Sequence, residues 1–143
     1  MKLAYPVDLL PQEDGSFLAF FPDIPEALTD GRTKDEALSE AVDCLIAALG
    51  GYIKDRLNIP EPSPPKKGQQ TVIVPPLVSA KLALNQTMRE AQITRVALGQ
   101  RLGVSEGAVR RLLDLDHKSH IGQVDAALSI LGKRLVVEVQ DAA

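Results

Sequence analysis

The stretch RVALGQRLGVSEGAVRRLLD, from Arg95 to Asp114, limits what this chain can fold into more than any other. Its small and apolar positions fall where two short helices crossing through a tight turn require them. Gly99 lets the second helix approach the first closely, and Gly103 supplies the positive φ of the turn. Leu98, Leu102, Val104, Val109 and Leu112 are expected to close a small core between them. Ser105 then caps the next helix, its side-chain oxygen accepting from an otherwise unpaired amide of the first turn. This phase turns Glu106, Gly107, Arg110 and Arg111 outward, on the face that a helix-turn-helix inserts into a DNA major groove.

Two amphipathic helices joined by a glycine turn also occur in domains that never touch nucleic acid. The charges favour DNA, because Arg95, Arg101, Arg110 and Arg111 fall in the stretch with few acids between them. Arg110 and Arg111 have the chemistry for bidentate contacts to guanine or for phosphate, and Thr94 and Ser105 lie where a hydroxyl near a helix N-terminus meets phosphate. Glu106 either accepts from cytosine N4 or stabilises its own helix N-terminus. Aromatic residues make up only 3% of the chain, with no Trp, so recognition of single strands by base stacking is disfavoured.

The net charge of −3 conceals an asymmetry. Residues 1–78 hold seven Lys or Arg against twelve Asp or Glu, whereas residues 79–143 hold nine against seven. An acidic half repels DNA and suits a basic protein partner, although acids also serve simply to solubilise a surface. A hydrophobic content of 45% with 24% charged residues is that of a globular protein. The single cysteine, Cys44, excludes an intramolecular disulfide. No apolar run approaches the roughly 20 residues that span a bilayer, and MKLAYPVDLL is interrupted too early to be a secretory signal, so a cytoplasmic protein without a membrane role is expected.

Along the chain, Lys2 to Leu10 and Ser16 to Phe21 read as strands of a hairpin turned at Asp14-Gly15. Pro22 to Pro25 breaks the second strand, and Ala27 to Asp30 reads as a third. Thr33 and Glu36 make a reciprocal capping box, opening a helix from Asp35 to about Arg56 with apolar residues at 38, 41, 42, 45, 49, 52 and 53. Cys44 and Tyr52 fall in its packed or boundary surface. Pro60 to Gly68 is extended, Thr71 to Val74 reads as a fourth strand, and Ser79 is the expected cap of a helix running to about Ala91. Ile121 to Leu131 is one more helix, ended by Gly132. Arg134 to Gln140 is β-rich without an evident partner in its own half, so it is expected to pair with the same strand of a second subunit or to return to the first sheet.

Catalytic constellations are hard to assemble. His117 and His120 lie three apart in DLDHKSH, but no second ligand pair accompanies them, so no metal site is expected. No phosphate-binding glycine loop is present. Asp8, Asp23, Glu26 and Asp43 are scattered acids of the kind that are usually solvated. No cofactor and no enzymatic activity are expected.

The run SFLAFFPDIPEALTDGRTKDEALSEAVDCLIAAL, followed by IPEPSP, resembles the HicB family of antitoxins, and the resemblance extends to the C-terminal helix-turn-helix that one branch of the family carries. It implies a first module with a reduced ribonuclease-H-like fold that binds a small, basic HicA-type toxin, an RNA-cleaving protein, and blocks its active site. It also implies repression of the chain's own operon through double-stranded operator DNA. Asp8 lies on the first strand, where a ribonuclease-H-like fold often places an acid, but the family is regarded as non-catalytic. The expectation is an α+β protein: a β-β-β-α-β partial ribonuclease-H-like module over residues 1–76, then an all-α helix-turn-helix module over 77–143 whose last strand makes a homodimer or higher oligomer. Asp23, Glu26 and Asp30 are the expected toxin-binding acids; Thr94, Arg95, Ser105, Glu106, Gly107, Arg110 and Arg111 the expected DNA-binding set. The rival readings are a stand-alone regulator with a ligand-sensing first module and an RNA-processing enzyme dependent on Asp8.

Overall fold

The computed structural model describes residues 2–142. The chain is a mixed α+β protein with four strands and five helices among the described residues. It divides into two compact units, up to Ser79 and from Ala80 onward, the division falling in the first turn of a helix.

The first unit is an antiparallel sheet of β1 (Ala4–Pro11), β2 (Phe17–Phe21), β3 (Ile24–Gly31) and β4 (Gln70–Ile73), in the order β3-β2-β1-β4. β1 is shared between two partners: Ala4 to Val7 pair with β4, and Asp8 to Pro11 pair with β2. This division explains how Pro6, which has no N–H, is tolerated in an inner strand, because it stands where only β4 is alongside. α1 (Lys34–Lys54) covers one face of the sheet, burying Ala37, Ala41, Leu45 and Leu49. The facing strands contribute Tyr5, Val7, Ala19 and Phe21, all essentially inaccessible to water. These are alternate residues along β1 and β2, as a strand's period of two requires.

Three local expectations change. β3 begins at Ile24 and includes Pro25, because this strand lies at the sheet edge, where a missing donor costs least. The chain breaks only between Phe21 and Ile24, where the β2–β3 register shifts. Thr33 caps α1 by accepting from Glu36 N at 3.1 Å, but among the described residues the return bond of a capping box is not made. The third change is at Ser79, which is not a cap. α2 (Pro76–Ala91) starts three residues earlier, with proline at its first position, where a missing N–H is harmless, and Ser79 Oγ donates back to Val74 O at 3.2 Å.

In the second unit, α3 (Arg95–Leu102), α4 (Glu106–Leu113) and α5 (Ile121–Ile130) follow α2. Its core is Leu82, Leu84, Met88, Leu98, Val109, Leu112, Val124, Ala127 and Leu128. Val104 is not part of that core. It is 43% exposed, since its backbone amide, donating to Gly99 O at 2.9 Å, is what ties the turn. Arg134 to Gln140 forms no strand within the single chain and does not join the first sheet.

Candidate functional site

The α3–α4 pair is built around its turn. Gly103 closes α3 in the left-handed conformation at φ 71°, and α4 begins three residues later. A Cβ on Gly99 would lie 2.8 Å from Val104 O, a backbone atom with no room to move, so the close approach of α3 to the turn requires glycine. Thr94 Oγ1 accepts from Ala97 N at 3.0 Å and Ser105 Oγ from Ala108 N at 3.1 Å, capping both helices. Each hydroxyl keeps its proton to donate outward, toward an anion placed at a helix start.

Glu106, in the first turn of α4, joins the two helices electrostatically. Its carboxylate accepts from Arg110 at 2.7 and 3.0 Å and sits 3.1 Å from Arg95 Nε. The Arg110 hydrogen bond, reinforced by the charges of Arg110 and Arg95, holds the Glu106 carboxyl below its ordinary range. Arg111 is exposed, and its side chain has no hydrogen-bond or ion-pair partner among the described residues. Arg101 turns to α5, donating to Ile130 O at 3.3 Å. The outer surface of this pair is thus an exposed basic face on α4 beside two hydroxyl-capped helix starts. Gly107 lies on it half-buried and adds no side chain.

What orients α4 was missed in the sequence. Lys81 of α2 is wholly buried, and its ammonium donates to Arg111 O at 2.8 Å, Asp114 O at 2.7 Å and Ser119 Oγ at 2.9 Å. A cation therefore closes the negative end of the α4 dipole, adding a charged donor to carbonyls that Ser119 Oγ and His117 N also reach. Burial pushes its pKa down, with the Asp114 charge opposing in part. Asn85, one turn along α2, adds a bond to Leu113 O at 3.1 Å. His117 stands beside this cluster, its Nδ1 3.0 Å from Ser119 Oγ. His120 precedes α5 without capping it through its side chain.

In the first unit the three expected acids divide. Asp23 accepts from Ser63 N at 2.8 Å and Ser63 Oγ at 2.6 Å, pinning the proline-rich segment to the β2–β3 turn. Tyr5 does the same one step away, its hydroxyl donating to Pro60 O at 2.6 Å, and burial with the Asp23 charge pushes its pKa up to about 12. Glu26 accepts from Tyr52 Oη at 2.8 Å, tying β3 to α1. Asp30 is exposed and has no such partner among the described residues. Asp8 accepts from Gln69 Nε2 at 3.0 Å, Cys44 Sγ lies 3.5 Å from Leu28 O, and Asp43 is exposed on α1. No cluster of three metal-ligating side chains forms among the described residues, and no helix of the described structure is long and apolar enough to cross a membrane.

Residues 4–83 match the family described as a HicB-like antitoxin of bacterial toxin-antitoxin systems. Antitoxin HicB 1 of Photorhabdus laumondii is 39% identical over 97% of this chain and 88% of its own length. Antitoxin HicB of Escherichia coli strain K12 is 38% identical over 93% of this chain and 96% of its own, and its counterpart in Pseudomonas fluorescens 36% over 92% and 90%. The similarity runs through both units, and an antitoxin's role is not an enzymatic one. The two segments that Asp23 and Ser63 hold together, and the helix pair that Lys81 braces, are thus parts of a chain that belongs to the HicB antitoxin family.

Proposed function

We propose that this antitoxin neutralises a small RNA-cleaving toxin of the HicA type through its first unit, as a partial ribonuclease-H-like domain. Its second unit, as a dimeric helix-turn-helix domain, represses the chain's own operon. The observation that carries the DNA half is the exposed face of α4: Arg110 and Arg111 project from it, and the hydroxyls of Thr94 and Ser105 stand at the starts of α3 and α4. Phosphates at those two starts fix the register, while Arg110 and Arg111 reach base edges or neighbouring phosphates. Glu106 pairs with both Arg95 and Arg110 and so holds the two guanidiniums side by side on the exposed face.

The acids of the first unit serve the toxin half in two ways. Asp23 and Glu26 hold the β2–β3 turn and the proline segment in shape, and Asp30 meets the toxin directly. Blocking the toxin's active site by occupying it requires no catalysis from this chain.

Titration of a duplex carrying the operon's upstream sequence tests the DNA half. Arg111→Ala is expected to cost about 1–3 kcal/mol, relaxing one base position if Arg111 reads a base and weakening all sequences alike, with a shallower salt dependence, if it binds phosphate. Unchanged affinity for every duplex would remove α4 from the interface. Co-expression of the full chain with the neighbouring toxin tests the other half, with growth rescue and a stable complex as the expected result.

A further inference from the structure

One face of the first unit's sheet carries α1. The cross-strand register fixes what stands on the other. Asp8 faces Phe20, which faces Leu28; one row along, Leu10 faces Leu18, which faces Asp30. Three adjacent strands thus lay out a two-by-three patch with Phe20 and Leu18 in the middle, Leu28 and Leu10 at one pair of opposite corners and Asp8 and Asp30 at the other. An antiparallel sheet with one covered face ordinarily turns polar residues to the other. Here Leu10 is 47% and Leu28 56% exposed, with Leu18 and Phe20 half-buried between them. Contiguous apolar surface of this kind, rimmed by charge, marks a contact site rather than a solvated wall.

We propose that this open sheet face is the surface on which the first unit receives its protein partner, a basic protein whose contact surface has an apolar centre flanked by Lys or Arg. The proposal deepens the antitoxin reading and rests on it. Charge selects the occupant. A second copy laid on this face would bring Asp8 and Asp30 toward acids of its own kind, in a half-chain with seven basic against twelve acidic residues. A basic partner meets both corners with opposite charge and covers the leucines and Phe20. Asp30 is exposed with no intrachain partner among the described residues and is fully open to such a partner, whereas Asp8, half-buried in a cleft that Lys66 and Lys67 also line, makes one bond to Gln69 and keeps the rest of its acceptor capacity.

The test uses the full chain and the toxin encoded beside its gene, the toxin inactivated by substitution in its active site so that it can be purified alone. Two variants alter the face without touching the core: Leu10→Ser with Leu28→Ser, and Asp30→Lys. Melting temperature verifies that each remains folded. Each is expected to weaken toxin binding about tenfold or more, with Asp30→Lys also flattening the salt dependence of association, while Asp43→Lys on exposed α1 changes little. Wild-type-like affinity in both face variants overturns the proposal and leaves the antitoxin reading intact. Failure of the wild-type chain to bind the toxin sinks the antitoxin reading and this proposal with it. A loss of self-association in the leucine variant, with toxin affinity unchanged, would assign the face to a second copy and overturn the proposal.

Discussion

Lys81 shows how much one side chain can decide in a small helical unit. Its three donors are all used, two of them on carbonyls at the end of α4. Lys81→Met keeps the stem and removes three hydrogen bonds from a charged donor, each worth roughly 1.5–3 kcal/mol, while Asp114 O keeps His117 N and Arg111 O keeps Ser119 Oγ. The expected loss is about 2–4 kcal/mol, read as a lower urea midpoint with unchanged slope; a midpoint within error of wild type would show that water replaces the ammonium. In the sequence SAKLALNQ this lysine looks like a solvent-facing residue, since lysines are almost never fully buried. Only its helical phase argues otherwise, three residues after Val78 and four before Asn85. Asp23 was illegible for a different reason: its partner Ser63 lies forty positions away, and nothing local to the β2–β3 turn specifies that bond. The caps at Thr33 and Ser105 were legible because donor and acceptor sit three residues apart, whereas Thr94 is legible only as a hydroxyl near a helix start, not as its cap.

At the scale of elements, α3 and α4 are held by two kinds of force that respond differently to pH. The apolar contacts of Leu98, Val109 and Leu112 do not titrate. The Glu106 link does, because Arg110 first and Arg95 second depress its carboxyl below the ordinary value. A depressed acid supports the folded state above the unfolded pKa, and that support is lost as pH falls through the lowered folded value. Wild type should therefore exceed Glu106→Gln in stability by a constant margin near neutrality, and the margin should close as pH drops below about 4. Urea unfolding at stepped pH measures it, and a margin that ignores pH would reduce Glu106 to a neutral hydrogen-bond acceptor. The group is solvent-accessible, so the margin should also shrink with added salt. Element boundaries followed the same logic of local against distant causes. The end of α3 and the start of α4 came from Gly103 and the Ser105 cap, whereas the start of β3 at Ile24 depended on its being an edge strand, which no local pattern reveals.

For the whole molecule, the unanswered demand is the C-terminal segment. Val136, Val137 and Val139 are 77%, 69% and 93% exposed on a stretch with no pairing in the single chain. In the proposed dimer, two-fold antiparallel pairing with a second copy would satisfy them, and side-chain chemistry selects the register. Centring the pair on Val136 sets Arg134 opposite Glu138 twice and Leu135 opposite Val137 twice, whereas centring it on Val137 sets Glu138 against Val136. The first register is the expected one. It places Val136 against its own copy at a Cα separation of about 4.5–5.5 Å, within reach of a disulfide. In a Cys44→Ser background, Val136→Cys should therefore oxidise to a covalent dimer, while Val139→Cys, several residues from the axis, should not. Val137→Lys should shift the sedimentation mass at micromolar concentration from dimer to monomer. On the proposed reading, in which two linked helix pairs bind two half-sites as one ligand, operator affinity should then fall about 100-fold or more, with each helix pair chemically unchanged. A chain that sediments as a monomer without any substitution would end the dimer proposal, and crosslinking at Val139 in place of Val136 would keep the dimer and reject the register.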